Sequence, residues 1–585
     1  MQNVITIWRS GRNRNSATAD WFAEFARFMG YEHAEVLDGF GDLSDSAVLV
    51  IPPGTTRISQ KELSVITEAV RDGMGLLSFF DNSLSDEKGR QRTKDNLPSL
   101  GLADVLGLDL AKIPERTAWT FRVSGHQEAV AATDPDDPLW QGVDLTGADL
   151  PDGSPLPSFT AYNIRTARAF GVTRKTNVST ESAEVLARSR GHNEYWADKP
   201  EGHVYLAVNS FGKGRAAYIS YEALPPAGPH GLIHTDLLFY WSFMANLVGR
   251  ISPAPLPRIM QMPGGVTNLL LRIDDAGTDD GHTGRHGDAF HDTNRVLEAS
   301  PYPMAVAVET DKISTPLGEE RLRAWEAAGH VIVCHTRGRH TMNVDETEQE
   351  IDLRESKEKL ERILGHPMVL WSIPGDYEYS TENTLRLAAE AGYELCGEYT
   401  SIINNYLTPE PCPLYPYVVR HKQTGVYIDV VTASGWLAIN RSYDVRKMDE
   451  MAGLAEATGI PCMVEFVTHV PQGLPEYIDD WKAFMEDISV RLERGGVRIT
   501  TSSEQLAWAK VRQSLRLASQ ANGRELTITV TNPSDTPASV VTVDCGAEVR
   551  SASSGGTDLE IARGRRFTLL EIPATETIKV HVSLG

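Results

Sequence analysis

Apolar and polar positions divide the 585-residue chain into three stretches of different rhythm. Over the first 250 residues, short apolar runs (VITIW, AVLVIPP, GLLSFF) alternate with amphipathic segments at about Trp21 to Met29 and Gln60 to Asp72. The period switches between that of a strand and that of a helix, which predicts a doubly wound, flavodoxin-like α/β domain over residues 1–251. From Thr267 to about Ala507 the runs TNLLLRID, MAVAVET, HVIVCHT, MVLWSIP, YELCGEY, VYIDVVTA, CMVEFVTH and GVRITT recur, with helical segments such as 380–391 and 476–494 between many of them. Repeated βα units of this kind make a parallel sheet, open or closed into a barrel, with its ligand site at the C-terminal ends of the strands. The predicted domain spans 266–510. The proline-rich stretch SPAPLPRIMQMPGG, 252–265, reads as the linker before it. After a helical connector the rhythm changes again, to RELTITVTNPSDTPASVVTVDC, RRFTLLEI and ETIKVHV, short alternating strands separated by turn residues. They predict a small β-sandwich over 518–585.

Composition narrows the partners. The chain is 41% hydrophobic and 23% charged and has no run near the roughly 20 apolar residues of a membrane helix. A formal charge of −23 opposes a phosphate backbone, so nucleic acid is excluded and neutral or amine-bearing ligands suit the molecule better. Cys334, Cys396, Cys412, Cys462 and Cys545 are odd in number and form no C-x-x-C pair, which argues against a disulfide framework and a thiolate zinc site. The opening MQNVITIW moves directly into a strand and lacks a secretory pattern, giving the expectation of a cytoplasmic protein unless a leader has been removed. Assembly, including a homo-oligomer, is left open.

The candidate chemistry sits where apolar strands end. LLLRIDDAG closes on Asp274 and Asp275, adjacent carboxylates that are costly to bury unless they share a cation or proton. VIVCHTRGRH ends on His335 with His340 in the following loop, and PCMVEFVTH ends on His469. A carboxylate with two imidazoles suits zinc or a similar divalent metal and leaves positions open for water and substrate. A second acid- and imidazole-rich loop holds Asp279, Asp280, His282, His286, Asp288, His291 and Asp292. It reads as a second cation site, as the source of a substitute ligand, or as a polar loop over the cleft.

Taken together, RIDDAG, HTRGRH, IPGDYEYSTENTLRLAAEAGYEL and VEFVTHV resemble the motifs of polysaccharide deacetylases of the NodB type, carbohydrate esterase family 4. The resemblance implies a NodB-type (β/α) barrel in which Asp274 is the catalytic base, Asp275, His335 and His340 hold a divalent metal such as Zn2+, and His469 is the general acid. It implies a metal-dependent hydrolase that removes N-acetyl groups from an amino-sugar-containing saccharide. Cyclic amides or ureides, O-acetyl sugars and a catalytically silent carbohydrate-binding scaffold are the alternatives. The sequence departs from the pattern in places. Four residues separate His335 from His340 where the family has three, and Ser372 stands where the family has the Arg that orients the base, so that Arg272 or Arg337 is expected to substitute. Asp429 and Trp436 are the candidates for the family's aspartate-tryptophan motif. The first domain resembles class I glutamine amidotransferase-like domains in HVYLAVNSFGKGRAAYISYE and LIHTDLLFYWSFMANLVGR. It contains no cysteine, which predicts a structural or substrate-positioning role.

Overall fold

The computed structural model describes the chain except for residues 1–3, 80–81, 84, 91–100, 109–118, 122–127, 142–147, 150–154, 157, 160–172, 176–179, 181, 192–202, 221–233, 281–282, 285–286, 339–344, 374–381, 400–417, 421–423, 432–440 and 470–474. Among the described residues the first domain is built on a nine-stranded mixed sheet. Strands His33–Leu37, Val4–Arg9, Ser46–Val50, Gly75–Phe79 and Gly214–Ile219 lie side by side and parallel. The sheet then continues antiparallel through His203–Phe211, Glu184–Gly191, Glu128–Ala132 and Ser158–Phe159. Helix Ser16–Met29 ends at Gly30, whose φ of 81° is left-handed. A Cβ there would meet the Ile259 carbonyl oxygen at 1.8 Å, so only glycine lets the linker pass this close.

The central domain carries the site, and its strands are labelled β1 (Thr267–Ala276), β2 (Ala305–Val308), β3 (Val331–Cys334), β4 (Leu370–Ser372), β5 (Leu395–Tyr399), β6 (Tyr427–Val431), β7 (Met463–His469) and β8 (Val497–Thr500). They form a curled parallel sheet in the order β6-β5-β4-β3-β2-β1-β7, with β8 paired to the first half of β1 and a short antiparallel strand, Val418–Arg420, outside β6. Among the described residues no ladder joins β6 to β7, so the barrel is open there. All ten residues of β1 are buried, as expected of a strand in a parallel sheet covered on both faces. Helices such as Pro316–Ala327, Glu346–Leu364 and Pro475–Arg494 supply the crossovers.

The last domain has two antiparallel sheets around one core, Val530, Val541, Phe567 and Val580 among its members. One sheet begins at Arg516, slightly earlier than the sequence pattern predicts. The other takes an edge strand from far away: Arg258–Ile259 of the proline-rich stretch pairs with Val543–Asp544. That stretch is therefore part of a sheet and not a free linker. Among the described residues no helix is long and apolar enough to cross a membrane.

Candidate functional site at the carboxyl ends of the barrel strands

Adjacent side chains on a regular strand point to opposite faces, so Asp274 and Asp275 should not share one site. A bulge removes that difficulty. Three steps along β1, from Ile273 to Ala276, match two along β2, from Val306 to Val308. The extra residue is taken up with Asp275 in the left-handed region, φ 61°, and such a bulge re-aims the side chains around it. A non-glycine residue held this way costs on the order of 1–3 kcal/mol and persists only where neighbours impose it. Here Lys312 Nζ donates to the Asp275 carbonyl at 3.0 Å and pairs with the buried Glu309 at the end of β2.

His335 directly follows β3, with Thr336 also left-handed at φ 62°. Its Nδ1 lies 3.2 Å from the Ser372 carbonyl oxygen. A carbonyl only accepts, so Nδ1 carries the proton and Nε2 is left facing Asp275 Oδ1 at 3.5 Å. Burial by itself lowers the His335 pKa, but Asp275, Asp274 and Glu309 outweigh it and raise it above the ordinary value. The surroundings that favour a proton on this ring equally favour a cation beside it. Two ligands of a tetrahedral zinc stand about 3.3 Å apart, so the Asp275 and His335 donors are spaced to share one ion. Nδ1 held by a carbonyl is the usual way a ligating imidazole is oriented.

Asp274 is held separately. Arg272, two residues earlier on the same strand, reaches it with Nε 2.9 Å from Oδ1 and Nη2 3.3 Å from Oδ2. Its Nη1 is 3.0 Å from Glu465 Oε1 of β7, and all three side chains are buried. The guanidinium needs room, and Gly397 of β5 provides it, since a Cβ there would stand 2.5 Å from Arg272 Nη1. Arg337, the other expected substitute, is directed elsewhere, to Asp352 at 3.3 Å and Glu355 at 3.4 Å.

The remaining expected residues divide between those the structure places and those outside it. The register of β1 with β7 sets the His469 backbone opposite that of Asp274. His340 and Trp436 lie outside the described residues, as do His282 and His286 of the second loop, while Asp429 is placed by its backbone on β6. Among the described residues no group of three potential ligands gathers around a metal position. In the second loop, Asp279 accepts from Ser314 and Thr315 beside helix Pro316–Ala327, with Thr315 Oγ1 at 2.8 Å. Burial opposes ionisation there, yet those hydrogen bonds bring its pKa below the usual range. Asp280 pairs with Arg321 at 2.7 Å. These two acids thus support the loop and helix.

Sequence reasoning did not single out Glu309, Lys312, Glu465 or Gly397. A signal existed for one of them: Glu465 and Arg272 are lone charges inside apolar strand runs, and buried charges of opposite sign seek each other.

Residues 278–396 match the family model described as Polysaccharide deacetylase, a span that holds His335 and His340 and begins just after Asp275. Over those residues the central domain is similar to the polysaccharide deacetylase family. A candidate polysaccharide deacetylase from Mycobacterium smegmatis is 17% identical, with 44% of this chain covering 94% of that one at a TM-score of 0.33. Puue allantoinase is 15% identical, with 42% and 91% covered and a TM-score of 0.32. A β-galactosidase from Bacillus circulans sp. alkalophilus is 15% identical, with 44% of this chain covering 34% of that one at a TM-score of 0.28. The chain thus spans about a third of the length of that β-galactosidase. No curated protein matches significantly.

Proposed function

We propose that the chain is a metal-dependent hydrolase that removes N-acetyl groups from an amino-sugar-containing saccharide. The observation that carries this reading is the side-by-side arrangement at the end of β1: Asp275 facing His335 Nε2 at 3.5 Å, and Asp274 gripped by Arg272. Asp275, His335 and His340 would hold a divalent cation, most simply Zn2+. When bound, such an ion polarises an acyl carbonyl and acidifies a water. Asp274 takes the proton from the attacking water, and Arg272 fixes the direction in which that carboxylate points. His469, whose backbone lies opposite Asp274, delivers a proton to the departing amine, which would otherwise leave as a strongly basic anion. The carboxylate of Asp275 and the Ser372 carbonyl keep the His335 ring in one orientation and one tautomer.

Mass spectrometry of N-acetylhexosamine oligosaccharides incubated with zinc-loaded enzyme tests the proposal. The expected product has lost acetyl groups with its chain length intact. Turnover confined to a cyclic ureide or to O-acetyl sugars, or shortened chains that keep every acetyl group, overturns it.

A further inference from the structure

A second charged site lies away from the barrel mouth, where the three domains meet. A cavity of about 560 Å3 is lined there by Tyr31 and Asn246 from the first domain, Thr458 at the end of the long helix Arg441–Thr458, Arg258 of the edge strand, and Arg563, Arg565 and Arg566 of the sandwich. Arg250 also borders it but is matched by Asp137 at 2.7 Å and Glu184 at 3.1 Å.

The other four guanidinium groups are not matched in number. Arg258, Arg565 and Arg566 converge on one buried carboxylate, Asp544, at 3.3, 2.7 and 3.5 Å. Arg563 has Glu456 at 3.4 Å. Backbone carbonyls at the helix end add some negative potential, Gly459 accepting from Arg566 and Glu456 from Arg563, but a helix terminus contributes only about half a charge. Among the described residues, four cations therefore face two carboxylates and a partial charge. The groups respond unequally: burial lowers the Arg565 guanidinium, but Asp544 outweighs it and raises it. Burial, with Arg258, Arg563 and Arg565 close by, brings the Arg566 guanidinium down to about 10 despite Asp544. Arg258 is 5% exposed, and its Nε has no hydrogen-bond partner among the described residues. Arg258 and Arg566 are buried and share the one carboxylate of Asp544; burying incompletely matched cations is unfavourable, and open space beside them is what an anion would use.

We propose that this cavity binds a compact oxyanion, the phosphate or carboxylate group of a small ligand, and that the ligand fastens the three domains together. Planar guanidinium forks suit the paired oxygens of either group. Because the contributing residues come from all three domains, occupancy opposes their separation, and the ligand stabilises the assembled chain by mass action.

The test uses the full-length protein, with titration calorimetry and thermal unfolding in millimolar inorganic phosphate, glucose 6-phosphate or glucuronate against chloride at equal ionic strength. At least one of the three is expected to bind saturably with one site per chain and to raise the unfolding midpoint. Arg565→Gln, which removes two Nη groups as well as the contact with Asp544, is expected to weaken binding about tenfold or more, the loss associated with a charge-assisted hydrogen bond. Equal binding of free phosphate and the sugar phosphate assigns the site to the phosphate group alone. Preference for glucose 6-phosphate assigns it to a phosphorylated saccharide, and binding of glucuronate alone assigns it to a carboxylate. If Arg565→Gln does not fold, Arg563→Gln at the more exposed side serves in its place. No saturable binding of any probe to the unaltered protein, or the same affinity in the folded variant, overturns the proposal.

Discussion

The Arg272 guanidinium holds the Asp274 carboxylate from two residues away on the same strand, with Nε 2.9 Å from Oδ1. Positions i and i+2 of a strand share a face, so the long side chain can fold back along the barrel interior and take Glu465 with its other arm. Under the proposed mechanism, this is how the barrel orients its base although Ser372 stands where a neighbouring strand would otherwise send an arginine.

Replacing Arg272 should therefore do two separable things. Arg272→Met leaves two buried carboxylates facing each other, with an expected stability loss of about 3–5 kcal/mol, the usual cost of breaking a buried charge pair from one side. Adding Glu465→Leu removes one of the stranded charges and should recover much of that stability in denaturant unfolding. Deacetylation should stay at least about 10²-fold down in the double variant, because nothing then orients Asp274. A double variant with full activity would show that Arg272 serves the fold alone.

Gly397→Ala probes the same interaction from the other side of the barrel. The added methyl would meet Arg272 Nη1 at 2.5 Å, so the guanidinium must move. Overpacking of this kind costs about 1–3 kcal/mol. The variant should fold, with kcat reduced more than KM is changed, a split that steady-state kinetics can read.

Metal occupancy separates the two aspartates. Asp275→Ala, His335→Ala and His340→Ala should each lower the zinc content found by elemental analysis, since each removes a proposed ligand. Asp274→Asn should keep its metal and lose activity by about 10²-fold or more. An Asp274→Asn protein without metal would make that residue a ligand and contradict its proposed role as base.

Acid sensitivity should map to the domain junction. Burial opposes the charge on Asp544, but Arg258, Arg565 and Arg566 prevail and keep its pKa well below the ordinary carboxylate range. A carboxyl depressed in the folded state contributes stability that is complete above its unfolded pKa, about 3.9, and is lost as pH falls below that value toward the folded pKa. Asp544→Asn should be less stable at neutral pH and should show a shallower loss on acidification below about pH 4. Unfolding midpoints measured across that range decide the matter, and parallel curves for the two proteins would contradict the assignment.

The residues at the strand ends were legible because apolar runs such as LLLRIDD stop abruptly on polar groups. The repeated βα rhythm likewise announced the parallel barrel strands. What escaped depends on three-dimensional register. The left-handed Asp275 and its bulge leave no mark on composition, since any residue can follow Asp274. The Arg272–Glu465 pair joins positions almost 200 residues apart and is visible only once β1 and β7 are known to be neighbours. Gly397 in YELCGEY looks like a weak strand residue until the side chain occupying its space is known. The proline-rich stretch suggested a spacer for the ordinary reason that prolines resist regular structure, yet two of its residues find a sheet edge.

That borrowed edge strand has a consequence for biosynthesis. Arg258–Ile259 leaves the ribosome long before its partner, Val543–Asp544, has been made. The four-stranded sheet can therefore close only after the barrel has been translated, when the end of the chain returns to a segment waiting beside Gly30. Until then Arg258–Ile259 is left without its partner strand, and unpaired edges recruit other strands. A fragment beginning after the barrel would keep its side exposed permanently. It should associate with itself, or with a synthetic peptide spanning residues 252–265, in a way the whole chain does not.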